Sequence, residues 1–235
     1  MKKRTFVIGD VHGGHKALLQ CLERAKFDYE KDTLISLGDI ADGWPDVVEC
    51  FEELFKIKNL KMVLGNHDKW LLDYLRTEET PDIWIKQGGR NTFKSYQDHP
   101  EMKEKHRDFL MSVPYYYVDS SNNLYVHGGI DLIGPVNEQS ADTLMWSRDL
   151  FYEWMMIRNT DEEEKGMYIP LLNHLYVGHT SVSRYSDTPI TSGNLTFMDT
   201  GGGYEWKLSM MDIDSKEVFQ SDPVSELYPG IVARG

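Results

Sequence analysis

Cysteine is scarce in this chain, two residues in 235, and no apolar run is long enough to cross a bilayer. Cys21 and Cys50 lie in stretches with helical hydrophobic spacing and read as buried free thiols rather than a disulfide, which suits a reducing compartment. The Lys2-Lys3-Arg4 start resembles the head of a secretory signal, but the apolar stretch behind it is interrupted at Gly9 and Asp10 and is too short for one. The expectation is a cytoplasmic protein. Basic charge is also in short supply, 25 Lys and Arg against 38 Asp and Glu, for a net charge of −13. That balance argues against nonspecific binding to nucleic acid or to an anionic membrane, both of which want a basic face. Repeats, low-complexity tracts and linkers are missing from the pattern, and nothing in it marks a dedicated protein partner.

What remains is ordinary globular composition, 40% hydrophobic and 12% aromatic, enough to bury a core and better suited to one large domain than to two small ones. Thr5 to Ile8, Thr33 to Leu37 and Leu60 to Leu64 read as buried strands. His15 to Ala25 and Pro45 to Ile57 read as the helices between them, with Pro45 suited to a first turn. Strands alternating with helices imply a parallel sheet, and ligands of such sheets gather at the carboxyl ends of the strands. Residues from Lys69 to Leu110 are helical in pattern and rich in aromatics. Pro114 to Asp119 and Asn122 to His127 suggest a hairpin around Ser120-Ser121, and Leu144 to Ile157 another helical region. Asp161 to Glu164 reads as a solvated acidic loop. Leu175 to Gly178, Leu195 to Asp199, Glu205 to Met210 and Glu217 to Ser221 suggest a second, largely antiparallel set of strands.

Each strand of the first set ends in glycine followed by a residue that binds metals: Gly9-Asp10, Gly38-Asp39, Gly65-Asn66. Glycine lets the backbone turn sharply, so that the next side chain can enter a shared site above the sheet edge. Asp10 and His12, two apart, fall on one face if the strand end stays extended. Tyr125-Val126-His127 and Tyr176-Val177-Gly178-His179 each deliver a histidine from the end of an apolar strand. One such strand end is a turn, but five supplying Asp, His, Asp, Asn, His and His make a constellation. His15 opens a helix and reads as a solvated first-turn residue, with contact to the site or a phosphate as the alternative, while His99, His106 and His174 belong to no such pattern and read as surface or packing residues. Tyr115-Tyr116-Tyr117, with no interleaved basic residues, reads as sheet packing rather than a platform for bases.

The segments GDVHGG (Gly9 to Gly14), GDIADG (Gly38 to Gly43), GNHD (Gly65 to Asp68), VHGG (Val126 to Gly129) and GHT (Gly178 to Thr180), in that order and across about 170 of the 235 residues, resemble the calcineurin-like metallophosphoesterases. Within them the likeness is to the phosphoprotein phosphatase branch in its bacterial and phage form. WSR at Trp146 to Arg148, MDTG at Met198 to Gly201 and the stretch from Gly88-Gly89 to Tyr96 add to it. The resemblance implies a β-sandwich of two mixed sheets flanked by helices, four α/β/β/α layers, as a single domain over 1–235 with a helical, cap-like insertion at about 69–112. It implies that Asp10, His12 and Asp39 hold one divalent ion, and that Asp39 bridges to a second held by Asn66, His127 and His179. Carboxylate, imidazole and amide donors together suit Mn²⁺ best, with Fe or Zn²⁺ as alternatives. Such a pair, about 3.5 to 4 Å apart, makes a hydroxide that attacks phosphorus in line.

By the same resemblance, His67 is the general acid, oriented by Asp42, while Arg148 and Asn66 contact the phosphate. The chain departs from the family where Gly43 follows Asp42 in place of a phosphate-gripping arginine, and Arg90 is the candidate substitute. GNHD in place of the branch's commoner GNHE is a smaller departure. The leading expectation is a metal-dependent phosphomonoesterase acting on phosphoserine or phosphothreonine. The alternatives are a diadenosine polyphosphate hydrolase, which uses closely related motifs, and a metal-binding scaffold without catalysis. The substrate is then a phosphoprotein, a small phosphoester or a nucleotide. Asp39→Ala is expected to lose at least one metal ion, measured by elemental analysis of the purified variant.

Overall fold

The computed structural model describes residues 3–160 and 166–234, so the acidic stretch from Asp161 to Glu164 lies outside the described residues. In chain order the elements are β1 (Thr5–Ile8), α1 (His15–Arg24), β2 (Thr33–Ser36), α2 (Val47–Leu54), β3 (Asn59–Met62), α3 (Asn66–Thr77), α4 (Asp82–Trp84), α5 (Arg90–Asp98) and α6 (Lys103–Ser112). They continue with β4 (Tyr116–Val118), β5 (Asn123–Val126), α7 (Ala141–Trp146), α8 (Asp149–Ile157), β6 (His174–Val177), β7 (Ile190–Ser192), β8 (Leu195–Phe197), β9 (Ser209–Asp212), β10 (Val218–Gln220) and α9 (Val224–Leu227).

Two five-stranded mixed sheets result, with strand orders β10-β9-β1-β2-β3 and β4-β5-β6-β8-β7. In the first, β1, β2 and β3 are parallel, as their helical crossovers require. The late strands do not form a separate antiparallel set. β9 pairs antiparallel with β1, Val7 opposite Met211, and β10 extends the same edge, while β5, β6 and β8 run parallel in the other sheet. The expected strand at Glu205 to Met210 starts later, at Ser209, because the chain first turns back through Gly201 to Trp206. The hairpin of β4 and β5 is as expected, and Leu144 to Ile157 is split into α7 and α8 at Ser147 and Arg148.

The two-residue period of the strands produces the layers. Phe6, Ile8 and Leu34 face outward with Leu18, Leu22 and Phe51 of α1 and α2, and Leu71 and Leu110 join the same cluster from α3 and α6. Val7, Ile35 and Met211 face inward against Tyr125 and Tyr176 of the second sheet. Leu124, Val126, Leu175 and Phe197 face outward again, under Leu150, Phe151 and Trp154 of α8. The order is helix, sheet, sheet, helix. Tyr125 and Tyr176 stack with ring centres 5.1 Å apart and planes at 6°, which fills the space between the sheets with flat, stiff groups. Cys21 and Cys50 are buried free thiols. Among the described residues no helix is long and apolar enough to cross a membrane.

His174, at the start of β6, is buried with its Nε2 2.7 Å from Thr196 Oγ1. Burial, with the nearby Lys216 ammonium, pushes its pKa down to about 4 from an ordinary 6.5. The neutral ring is therefore the one the fold accepts. Its contribution to stability is complete above about pH 6.5 and is lost as the pH falls toward 4. The urea midpoint of the wild-type protein should drop more steeply between pH 7 and 4.5 than that of His174→Gln; parallel curves would dismiss this residue as a source of acid sensitivity.

Candidate metal centre

The side chains in question sit at the carboxyl ends of β1, β2, β5 and β6 and at the start of α3. The turns that place them are left-handed. His12, Asp39, Asp42 and His179 have φ of 47°, 50°, 69° and 62°, a region that non-glycine residues rarely occupy and that Asp and His tolerate better than most. Asp10 and His12 therefore meet not through an extended alternation but because the chain bends back after Val11. His12 Nε2 lies 3.9 Å from Asp10 Oδ2 and 3.7 Å from Asp39 Oδ2. Gly65 serves by close approach, since a Cβ there would lie 2.1 Å from Asp39 Oδ1.

Asp39 is the common point. Its Oδ1 accepts the His67 amide at 2.9 Å, and its Oδ2 lies 3.2 Å from His127 Nε2. Ligand atoms of Asp39, His12 and His67 lie within 4.8 Å of one another, and so do those of Asp39, His127 and His179. His127 Nε2 is also 3.0 Å from Asn66 Oδ1. Asp10 accepts the His179 amide at 3.0 Å. The six residues expected as ligands are thus gathered in one place, with His67 closer to His12 and Asp39 than the expected division of roles implied.

The donor set fits divalent ions. His12 and His127 direct Nδ1 at the carbonyls of Ala41 and Leu37, at 2.9 and 2.8 Å. An N–H donated there fixes the tautomer and turns the Nε2 lone pair toward the cluster, the usual arrangement behind a ligating imidazole. His179 Nε2 is buried without a hydrogen-bond partner. Burial pushes the Asp10 pKa well above its ordinary value, with Asp199 and Asp39 adding to it. Burial would do the same to Asp39, but His127, His67 and His12 together hold it well below. Burial opposes the charged form of His127, yet Asp39 and Asp10 raise its pKa to about 10, while burial, His127 and Arg148 push His179 down to about 2. Buried carboxylates crowded in this way are relieved by cations.

Next to the cluster, His67 Nδ1 donates to Asp42 Oδ2 at 2.6 Å, and the His67 and His12 rings are 4.9 Å apart. Asp42 is fully buried and further held by Trp84 Nε1, 2.8 Å from Oδ1, and by Thr92 Oγ1 at 2.7 Å. Both donors come from the helical segment between β3 and β4. Arg148, at the break between α7 and α8, lines a cavity of 640 Å³ together with His179, Arg184, Tyr204, Trp206 and Arg234. Arg90 is exposed at the start of α5 and is not brought to this cavity.

Several participants were not singled out beforehand. Asp68, the last residue of GNHD, accepts the amides of Ile40, Ala41 and Gly65 at 2.9, 3.1 and 3.2 Å and so ties two strand-end loops together. Its spacing three residues after Gly65, at the head of a helix, was the available signal. Asp199 of MDTG is buried behind Asp10. Thr92 lies in the stretch from Gly88-Gly89 to Tyr96 that the resemblance marked, without a role assigned to it, and Trp84 and Arg234 carried no local signal.

Two clusters of N and O donors sharing one carboxylate, beside a buried acid pair, define a metal-dependent hydrolase site at the edge of a β-sandwich. The sequence profile of the calcineurin-like phosphoesterases matches residues 3–209, and the chain belongs to that family. It is accordingly a metal-dependent phosphoester hydrolase. It is 24% identical to serine/threonine-protein phosphatase 1 of Salmonella typhimurium over 212 residues, 90% of this chain and 92% of that one. A shorter stretch of 69 residues, 29% of this chain, is 44% identical to the symmetrical bis(5'-nucleosyl)-tetraphosphatase of Proteus mirabilis, covering 25% of that protein. Among solved structures, a protein serine/threonine phosphatase from Saccharomyces cerevisiae superposes with a TM-score of 0.61 at 14% identity, over 99% of this chain and 83% of that one, which speaks for the fold.

Proposed function

We propose that this chain hydrolyses phosphate monoesters, with phosphoserine or phosphothreonine in protein or peptide as the favoured substrate. The observation that carries the reading is Asp39, shared between two imidazole groups and placed 28 residues before the amide of His67 that it accepts. Asp10, His12 and Asp39 would hold one ion, and Asp39, Asn66, His127 and His179 the other. Mn²⁺ is the preferred pair, because the donors mix carboxylate, amide and imidazole with no thiolate. Bound there, the ions supply an activated water and neutralise phosphate charge.

The protein's own groups do the rest. Asp42, anchored by Trp84 and Thr92, keeps the proton on His67 Nδ1, which leaves Nε2 to manage a second proton. That nitrogen serves as the acid for the departing oxygen. Arg148 grips phosphate from the cavity wall with its planar fork. The helical segment at 69–112 is a buttress of the acid pair as much as a cap. Two buried, reduced thiols fit a cytoplasmic setting.

A second reading, diadenosine polyphosphate hydrolysis, is favoured by the aromatic lining of the cavity, where Tyr204 and Trp206 are 43% and 51% exposed and aromatic rings are the groups on which bases stack. The two readings separate when the Mn²⁺-loaded protein is given an aryl monophosphate, a phosphopeptide and a dinucleoside tetraphosphate. Turnover of the first two supports the main reading, strong preference for the last replaces it, and inactivity on all three leaves only a metal-binding scaffold. His67→Ala should slow substrates with poor leaving groups by about a hundredfold or more, and aryl phosphates much less, because only the former need the proton. Equal losses on both would remove His67 from that role.

A further inference from the structure

Gly43 stands where the family resemblance leads one to look for an arginine. Its φ is +83°, and a Cβ there would lie 3.0 Å from both Cβ and the carbonyl oxygen of His12, so a long side chain at this position is strained and crowded. The space beside it is taken by a side chain from almost two hundred residues away. A Cβ built on Gly88 would lie 2.7 Å from Gly43 N and 3.1 Å from Arg234 Cγ. Asn91 joins the same two segments, its Nδ2 donating to the carbonyls of Gly43 at 2.6 Å and Val232 at 3.2 Å. The Arg234 guanidinium lies over the Tyr204 ring, 4.9 Å from its centre, with Nη1 3.0 Å from His12 Nε2 and Nη2 3.4 Å from Gln87 Oε1. Its Nε is buried and without a hydrogen-bond partner, and among the described residues Arg234 makes no ion pair.

We infer that Arg234 is a phosphate-gripping arginine of this chain, delivered across the cavity by residues 230–234 in place of the one that Gly43 cannot provide. This rests on the phosphoesterase reading and extends it to how the substrate is held. The reason lies in His12. Its Nδ1 is committed to the Ala41 carbonyl, so Nε2 offers a single lone pair, and Arg234 Nη1 donates to it at 3.0 Å. A divalent ion held by His12 would take that same pair. With that lone pair taken and a like charge beside it, the Arg234 guanidinium would turn to another acceptor. Nε, without a partner, and Nη2, held only by Gln87 Oε1 at 3.4 Å, lie on the same side of the guanidinium and are the two parallel N–H groups that match two oxygens of a phosphate. Arg148 and Arg184 line the same cavity, so that with Arg234 three arginines face one acid, Glu205, in a chain whose net charge is −13.

Arg234→Gln and Arg234→Lys in the full chain provide the test. Calorimetry with Mn²⁺ alone should show Arg234→Gln binding metal as well as the wild type or more tightly, since the competitor for His12 has gone. Binding of inorganic phosphate to the Mn²⁺-loaded variant should weaken by about 10- to 100-fold, the range of a charge-assisted hydrogen bond, with KM for an aryl phosphate rising in parallel and kcat changing less. Arg234→Lys, which keeps the charge without the fork, should fall between. Unchanged phosphate affinity in Arg234→Gln overturns the inference, and so does a gain in turnover, which would make residues 230–234 a plug. If the wild type itself neither binds Mn²⁺ nor hydrolyses the aryl phosphate, the underlying phosphoesterase reading fails; if it does both and Arg234→Gln matches it, this inference alone fails.

Discussion

A single buried carboxylate organises this molecule. Asp39 lies in the loop that follows β2, the middle of the three parallel strands, and meets His12 from the loop after β1, His67 from α3 and His127 from the opposite sheet. Its negative charge is tolerated in the interior only because three imidazoles and a backbone amide surround it. The two sheets must therefore be stacked so that their carboxyl ends reach the same point. The flat tyrosine pair between them, Tyr125 on Tyr176, sets that separation from inside. Packing of the sandwich and geometry of the centre are in this sense one constraint seen from two sides.

Around that point the protein uses a second ring of contacts to keep mobile groups still. Asp68 holds three amides of two loops, Ala41 and Leu37 carbonyls hold two imidazoles, and Trp84 with Thr92 holds Asp42. Each of these is a polar group buried with its partner, which makes its loss costly and its geometry well defined. The helices between β3 and β4 acquire a purpose from this. α3 opens on Asn66 and His67 themselves, whereas α4 and α5 reach Asp42 through one indole and one hydroxyl.

Much of the centre was legible because its residues are local to strand ends. A short apolar run, a glycine and a candidate ligand residue form a pattern that survives without tertiary information; β1, β2, β3 and β6 all carry it, and β5 delivers His127 directly from its end. The pairing of β9 with β1 was not legible, because period-two alternation tells which face a strand buries but not which distant strand it joins. Short strands without helices between them look like antiparallel neighbours, yet here the chain crosses from one sheet to the other between β8 and β9. Arg234 and Trp84 escaped for a related reason. Their partners, His12 and Asp42, lie 222 and 42 residues away, and neither position has a periodic or motif-like setting. Arg90, by contrast, was suggested by proximity to a glycine pair, but the first turn of α5 directs it to solvent.

The left-handed turns at His12, Asp39, Asp42 and His179 carry a consequence for how such a site can change over time. Aspartate, asparagine, histidine and glycine are the residues that settle into that backbone region most readily. They are also, glycine apart, the side chains that coordinate hard and borderline cations. Random replacement at these corners, filtered for folding alone, would thus return an alphabet already suited to coordination, so that drift away from the site and recovery of it both run along short mutational paths.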